Sequence, residues 1–255
     1  MNPFNHISGK YFSAAGAEIY YEETGATENP VLLLLHGGFG NLEDFNTIIS
    51  LITGAYRVIG IDSRGQGKST LGNTTLSYEL LQSDIESLLK HLNISELNII
   101  GISDGGIVAY RLACFTKLKI NKLITIGSRW HSRNAIETKE ILGKVTVGFW
   151  KERHPQMIDN YEALNPAPDF EKLTTQLVDM WLTESSYPNE NVKNITADTL
   201  IIRGDRDNLI KRKFVFELAE KISNANLSNI AFAGHLVYTE APEILMTTIN
   251  KFLQQ

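Results

Sequence analysis

A serine stands between two glycines in the segment Gly101-Ile102-Ser103-Asp104-Gly105, which fits the pattern G-x-S-x-G. The apolar run Leu97–Ile100 before it predicts a short buried strand, and the amphipathic stretch after it predicts a helix. A serine at the apex of such a strand–turn–helix is typical of a nucleophile held in a strained turn. Side chains at Gly101 and Gly105 would clash where the strand end meets the helix start. Ser103 is therefore the candidate nucleophile.

A serine hydroxyl is a weak nucleophile near neutral pH, so it needs a base within hydrogen-bond reach and an acid that orients the base. His235, one of six histidines, follows Gly234 in a loop between a predicted strand and the last helix. This loop lies at the same edge of the predicted sheet as Ser103, which makes His235 the candidate base. The alternative is that His235 is a surface loop residue. His36 ends a strand beside two glycines, where we expect it to brace the turn.

Two aspartates in one loop compete for the role of the acid. Asp205 and Asp207 both follow the predicted strand Thr199–Arg203. Asp205 comes directly after Gly204, where we expect its side chain to hold the turn. Asp207 is further out, from where a carboxylate could reach back to His235. Asp207 is favoured, and Asp205 stays an alternative.

The elements that must position these residues alternate along the chain. Apolar runs and turn signals predict eight strands, Lys10–Ala14, Ala17–Glu23, Val31–Leu35, Arg57–Ile61, Leu97–Ile100, Lys122–Gly127, Thr199–Arg203 and Leu227–Ala231. The first two read as an antiparallel pair. Strands that alternate with helices indicate a parallel sheet with helices on both faces. The sequence therefore predicts an α/β fold with a mostly parallel, eight-stranded sheet.

The alternation stops between residues 128 and 195, which contain no strand-like run. This region reads as several helices, separated by Pro155, Pro166, Pro168 and Pro188. We expect it to be a helical cap inserted at the carboxyl edge of the sheet, where open α/β sheets bind ligands. Residues 1–127 and 196–255 then form the core of what is a single domain overall. The region holds all three tryptophans, Trp130, Trp150 and Trp181; one should contact substrate, and Trp130 is our candidate.

Composition excludes several classes of protein. The net charge of the 255 residues is −5 and there is no basic run, which argues against nucleic acid as a partner. The longest apolar run, Val31–Leu35, is too short to cross a bilayer, so we expect no membrane association. No apolar signal segment opens the chain, and Cys114 is the only cysteine, which together suggest a cytoplasmic protein. We expect a monomer or a homodimer. A Ser–His–Asp site needs no metal and no cofactor, so we expect neither.

The order Ser103, Asp207, His235 resembles that of the α/β-hydrolase superfamily, over nearly the whole length of the chain. Five motifs carry the resemblance: H-G-G at His36–Gly38, D-x-R-G-x-G-x-S at Asp62–Ser69, the G-x-S-D-G-G segment from Gly101, G-x-x-D at Gly204–Asp207 and G-H at Gly234–His235. Five motifs in order are far more specific than any one of them. The resemblance implies the α/β-hydrolase fold, with the helical cap between the sixth and seventh strands.

The resemblance also implies a division of labour. Ser103 attacks an acyl carbon, His235 takes and returns the proton, and Asp207 orients the imidazole. The backbone N–H groups of Asp104 and of Gly38 or Phe39 would bind the oxyanion. The implied function is a cofactor-independent serine hydrolase that acts on a small carboxylic ester or related acyl compound. Alternatives are an iminopeptidase, a lactonase or a carbon–carbon bond hydrolase of the same fold, or, less favoured, a non-catalytic ligand receptor.

Asp104 carries a negative charge beside the expected oxyanion, and three interpretations remain open. The substrate brings a cation, as in amino-acid esters; the segment is similar to that of valacyclovir-hydrolase-like enzymes, where the equivalent aspartate is associated with such esters. Alternatively, Arg129 just after the sixth strand supplies the positive charge. In the third interpretation Asp104 points away and caps the helix N-terminus, where a negative charge is favourable.

Overall fold

The computed structural model describes all 255 residues, and its strands form one eight-stranded sheet. The spatial order is β1-β2-β4-β3-β5-β6-β7-β8, for β1 (Lys10–Ala14), β2 (Ala17–Thr24), β3 (Val31–Leu35), β4 (Arg57–Ile61), β5 (Glu96–Ile102), β6 (Lys119–Ile126), β7 (Asp198–Gly204) and β8 (Ala225–Ile230). β2 pairs antiparallel with β1 and with β4, and every other pairing is parallel. This topology confirms the predicted fold class.

Ten α-helices connect and cover the strands. They are α1 (Asn46–Ile49), α2 (Tyr78–His91), α3 (Asp104–Phe115), α4 (Ser132–Leu142), α5 (Val147–Arg153), α6 (Pro155–Leu164), α7 (Phe170–Leu182), α8 (Arg212–Lys221), α9 (Val237–Glu240) and α10 (Pro242–Leu253). None of these helices has both the length and the apolar character required to cross a bilayer.

The sheet is buried on both faces because alternate residues of its strands enter different apolar clusters. Along β3, Leu33 and Leu35 pack in the cluster that contains α2, α3 and α8. Leu32 and Leu34 pack on the opposite face, in the cluster that contains α1 and α10. Successive side chains of a strand point to opposite faces, so a strand covered on both sides reads as a continuous apolar run.

Between β6 and β7 the chain contains only helical elements, α4 to α7 and two short 3-10 turns, Glu184–Ser186 and Asn189–Asn194. This region is joined to the core loops by side chains. Asn165 Nδ2 donates to the carbonyl oxygens of Gly67 and Ser69, at 2.9 Å each. Gln176 Oε1 accepts a hydrogen bond of 2.8 Å from the amide of Leu76. These contacts hold the helices against the loop that follows β4.

β5 at its end and β6 at its start extend beyond the predicted bounds. β5 continues to Ile102, because its last residues still pair with Thr125 and Ile126 of β6. β6 begins at Lys119, where polar residues replace the apolar pattern that marks a buried strand. Lys119 and Asn121 both donate to Glu96 at 2.9 Å, so side-chain contacts support a solvent-exposed strand end that the pattern did not reveal.

The segment before β1 is anchored in the core rather than free. Phe4 is buried and pairs its backbone N–H and carbonyl with the side chain of Asn46. His6, only 4% exposed, places Nδ1 at 2.7 Å from Glu43 Oε1 and Nε2 at 2.8 Å from Asp62 Oδ2. Burial alone would lower the pKa of His6, but the hydrogen bonds and charges of Asp62 and Glu43 outweigh it and raise the pKa. Both ring nitrogens can donate only if the ring is the imidazolium.

We predict that His6 makes stability depend on pH. In the folded protein the pKa of His6 is raised above its ordinary value of 6.5. The stabilisation that the protonated ring provides is therefore complete below pH 6.5 and is lost as the pH rises through the folded-state pKa. Between about pH 6 and about pH 9, the free energy of unfolding of the wild type should fall by about 1–2 kcal/mol more than that of His6→Gln. Urea denaturation at both pH values measures the difference. The exposed His91→Gln is the control and should behave as the wild type; equal losses in wild type and His6→Gln would contradict the prediction.

Candidate active site

Ser103 occupies a strained backbone conformation between β5 and α3, with φ 50° and ψ −112°. The turn is closed by two glycines. A Cβ on Gly101 would lie 2.5 Å from the carbonyl oxygen of Gly105, and a Cβ on Gly105 would lie 2.0 Å from that of Leu35. Neither distance is compatible with a side chain, so the glycines are required by close backbone approach, as the sequence analysis argued.

Ser103, His235 and Asp207 form a continuous chain of hydrogen bonds at the carboxyl ends of β5, β8 and β7. His235 Nε2 lies 3.2 Å from Ser103 Oγ, and His235 Nδ1 lies 2.9 Å from Asp207 Oδ2. Asp207 Oδ1 accepts from the backbone N–H groups of Leu209 and Ile210, at 2.8 and 2.9 Å. The Asp207 side chain is fully buried, and these amides fix its orientation toward the histidine.

Asp205, the alternative acid, faces away from His235. Its carboxylate accepts a hydrogen bond of 2.8 Å from Asn229 Nδ2 and forms an ion pair with Arg212. Its side chain is 30% exposed. Of the two aspartates in this loop, the structure brings only Asp207 into contact with the histidine.

Gly38 and Phe39 lie beside Ser103 in the loop after β3, and their amides have no hydrogen-bond acceptor within the protein. Asp104 is the first residue of α3, where the helix leaves its N–H groups free. His36 braces this loop, since its Nδ1 lies 2.7 Å from the Gly37 carbonyl oxygen and its Nε2 accepts from the Ser63 amide at 2.9 Å. Free amides from two loops therefore surround the serine hydroxyl.

The Asp104 side chain is buried, with 5% exposed, and both its oxygens accept hydrogen bonds. The Tyr78 hydroxyl donates to Oδ1 at 2.8 Å, and Trp181 Nε1 donates to Oδ2 at 2.7 Å. Burial and then the Asp104 charge raise the pKa of Tyr78 well above its usual value. Tyr78 was not predicted from the sequence, because a tyrosine at the start of an amphipathic helix gives no indication that it contacts a distant aspartate.

Arg129 is the buried cation of this cluster. Its guanidinium lies over the ring of Tyr187 at 5.4 Å and donates to neutral oxygens, Thr138 Oγ1 and the Trp181 carbonyl, at 3.4 Å each. Burial lowers the pKa of Arg129, but the interactions with Tyr187, Tyr78 and Asp104 outweigh it and raise the pKa. The protein thus places a buried positive charge near Asp104, as the second of the three interpretations of Asp104 requires.

Two cavities meet at Ser103 and His235, one of about 670 Å³ and one of about 230 Å³. Both are lined by Gly38, Phe39, Trp150 and Leu236 in addition to the serine and the histidine. Phe39 and Trp150 contact each other edge to face, with ring centroids 4.9 Å apart. These two rings lie where the cavities join, so the serine hydroxyl is accessible from both sides.

The prediction that Trp130 contacts substrate requires correction. Trp130 is fully buried, and its indole N–H donates to the Phe214 carbonyl oxygen at 2.9 Å. It lines neither cavity, because it packs against α8 instead. Trp150 lines both cavities. Trp181, Asp104 and Arg129 line only the smaller one.

No group of three or more histidine, cysteine, aspartate or glutamate side chains is arranged to hold a metal ion.

The fold and this geometry define an α/β protein with a serine–histidine–aspartate hydrogen-bond chain at the carboxyl edge of its sheet. Residues 30–242 match the family model for the alpha/beta hydrolase fold. The chain therefore belongs to the alpha/beta hydrolase fold family.

Individual relatives are distant but cover almost the full chain. It is 23% identical to the esterase YbfF of Escherichia coli, over 88% of this chain and 93% of that protein. It is 24% identical to the proline iminopeptidase PfmaB of Pestalotiopsis fici, over 94% of this chain and 97% of that protein. The crystal structure of a hydrolase from Pseudomonas aeruginosa superposes with a TM-score of 0.78 at 23% identity, covering 98% of this chain and 100% of that one. Hydrolase relatives of this kind support an enzyme of the alpha/beta hydrolase type.

We predict that Asp104 and Arg129 compensate each other. Removing one charge leaves the other buried without its counterpart, so Asp104→Asn and Arg129→Met should each lower the free energy of unfolding by about 3 kcal/mol. The double variant should recover part of that loss, because it buries no charge at this position. Urea denaturation of the four proteins gives the coupling energy. A double variant whose loss equals the sum of the single losses would show that the two charges act independently.

Proposed function

We propose that this protein is a serine hydrolase that cleaves small carboxylic esters through an acyl-enzyme intermediate. The observation that carries the proposal is the hydrogen-bond chain from Ser103 Oγ through the His235 ring to Asp207 Oδ2. A non-catalytic receptor would have no use for a strained serine joined to a histidine and a buried carboxylate. The esterase among the relatives supports the choice of an ester over the other acyl substrates.

The geometry supports a two-step reaction. Ser103 Oγ attacks the ester carbonyl carbon while its proton passes to His235 Nε2. The tetrahedral intermediate collapses, the carbon–oxygen bond to the alcohol breaks, and the alcohol oxygen takes the proton from Nε2. Water then attacks the acyl-enzyme, gives a proton to Nε2, and releases the acid as the proton returns to Ser103. Asp207 holds the Nδ1–H tautomer and stabilises the imidazolium in both steps.

The oxyanion of each tetrahedral intermediate needs donors that are free before substrate arrives. We assign this role to the amide of Asp104 and to the amide of Phe39 or Gly38. Losing one such donor typically raises the barrier by about 3 kcal/mol. The His36 ring, which holds the Gly37 carbonyl, positions these amides without touching substrate. The reaction as written needs neither a metal nor a cofactor.

The negative charge of Asp104 suggests a narrower substrate class, the amino-acid esters, whose ammonium group could pair with it. We propose that neutral acyl groups are accepted equally well. Both Asp104 oxygens already accept hydrogen bonds, and the buried Arg129 lies in the same cluster. A substrate ammonium would have to share this carboxylate with Tyr78 and Trp181, and the nearby guanidinium would oppose it. The carboxylate therefore needs no cation from the substrate.

We predict that Asp207, and not its neighbour, supports catalysis. Asp207→Asn should lower kcat for p-nitrophenyl acetate by about 10⁴-fold, because the amide favours the wrong imidazole tautomer. Asp205→Asn, two residues away on the exposed side of the same loop, is the matched control and should stay within about threefold of the wild type. Steady-state kinetics measure both. Equal effects of the two substitutions, or none from Asp207→Asn, would contradict the assignment.

We also predict that an α-amino group on the acyl half brings no large advantage. The kcat/KM values for the ethyl esters of alanine and propionic acid should agree within about tenfold in the wild type, after correction for their intrinsic reactivity in buffer. A larger preference for the alanine ester that is lost in Asp104→Asn would instead identify Asp104 as a cation-binding residue.

A further inference from the structure

The larger cavity has a wall of polar side chains that the proposed mechanism does not use. Asp44, Gln66 and Tyr238 line it together with Ser103 and His235, and we call these three residues the polar wall. They come from three separate parts of the chain, the turn before α1, the loop after β4 and helix α9. None of them is needed to hold the hydrogen-bond chain of the candidate active site.

Each residue of the polar wall has unused hydrogen-bonding capacity. Asp44 Oδ2 accepts from the Asn41 amide at 3.2 Å, while its Oδ1 has no partner in the protein. Gln66 is 2% exposed, and its Oε1 is buried without any partner. The Tyr238 side chain is 9% exposed, and its hydroxyl makes no hydrogen bond within the protein.

Asp44 and Tyr238 lie near each other. Burial first, and then the Asp44 charge, raise the pKa of Tyr238. Buried polar groups are almost always hydrogen-bonded in native proteins, so the buried and unpaired Gln66 Oε1 on this wall requires an explanation. A polar ligand in the cavity would satisfy all three groups.

Most of the residues that line the smaller cavity are apolar. Its walls away from Asp104 and Arg129 are apolar, formed by Ile107, Leu142, Val145, Phe149, Leu209 and Ile210. Asp104, whose amide is a proposed oxyanion donor, lines this cavity and not the larger one. With the acyl group in the smaller cavity, beside that donor, the leaving alcohol would lie in the larger one.

We propose that the polar wall binds the alcohol half of the substrate, and that the protein prefers esters of short, apolar acids with polyhydric alcohols. This proposal rests on the proposed ester hydrolysis. A hydroxyl group both donates and accepts, as do the Gln66 amide and the Tyr238 hydroxyl, whereas Asp44 accepts only. A neutral polyol can match all three, while an ammonium could serve only the acceptors. Arg153 also lines this cavity, and its positive charge further disfavours a cationic group.

Matched esters test the proposal. The kcat/KM of glycerol 1-monobutyrate should exceed that of propyl butyrate, which lacks only the two hydroxyls, by at least about tenfold. It should also exceed those of butyrylcholine, which carries a cation, and of propyl 3-hydroxybutyrate, which carries its hydroxyl on the acyl half. Tyr238→Phe and Gln66→Met should each reduce the glycerol-to-propyl ratio by about 3- to 10-fold. Tyr56→Phe, a tyrosine outside both cavities, is the matched control and should keep the ratio.

Each other outcome is decisive. Equal kcat/KM values for the glycerol and propyl esters, or a ratio that Tyr238→Phe and Gln66→Met leave intact, would overturn the polar-wall proposal while ester hydrolysis stands. A preference for butyrylcholine would show that the wall selects a cation, and a preference for propyl 3-hydroxybutyrate would show that the hydroxyl belongs to the acyl half; either result overturns the proposal. Failure to cleave any of the four esters would reject ester hydrolysis itself and the polar-wall proposal with it.

Discussion

The backbone of Gly105 lies against the carbonyl group of Leu35, so close that a Cβ at this glycine would be 2.0 Å from the Leu35 oxygen. This contact presses the start of α3 against the end of β3 and makes the turn at Ser103 sharp. The strained φ of 50° at Ser103 follows from that geometry, and the surrounding strands maintain it. The serine hydroxyl, the free amide of Asp104 and the loop of Phe39 are brought to one point by this single close approach.

Fixed charges support this turn from two directions. Asp207 is held by two backbone amides and orients His235, while Asp104 is held by Tyr78 and Trp181 on the other side of the serine. A carboxylate beside a developing oxyanion would raise the energy of the transition state. In the proposed reaction, the nearby guanidinium of Arg129 offsets that effect without help from the substrate. Under that proposal the site is arranged around a buried cluster that holds both a negative and a positive charge.

The eight strands and the helical region between the sixth and the seventh could be predicted from the sequence, because apolar runs and Gly or Pro turns reflect local chain geometry. Ser103, His235 and Asp207 were found because each follows a predicted strand at a shared sheet edge. Trp130 was misjudged, since composition cannot distinguish a tryptophan that packs under α8 from one that lines a cavity. Tyr78 and the polar wall were missed because their positions beside Asp104 and the larger cavity arise only from the packing of segments that are distant in sequence.

In the proposed reaction Ser103, activated through His235, is the group that becomes acylated. Reaction with a fluorophosphonate, followed by mass spectrometry of proteolytic peptides, identifies the residue that is modified. We expect stoichiometric modification of the peptide that contains Ser103, slowed strongly in His235→Gln and absent in Ser103→Ala. Modification of a different residue, or of Ser103 at an unchanged rate in His235→Gln, would overturn this assignment.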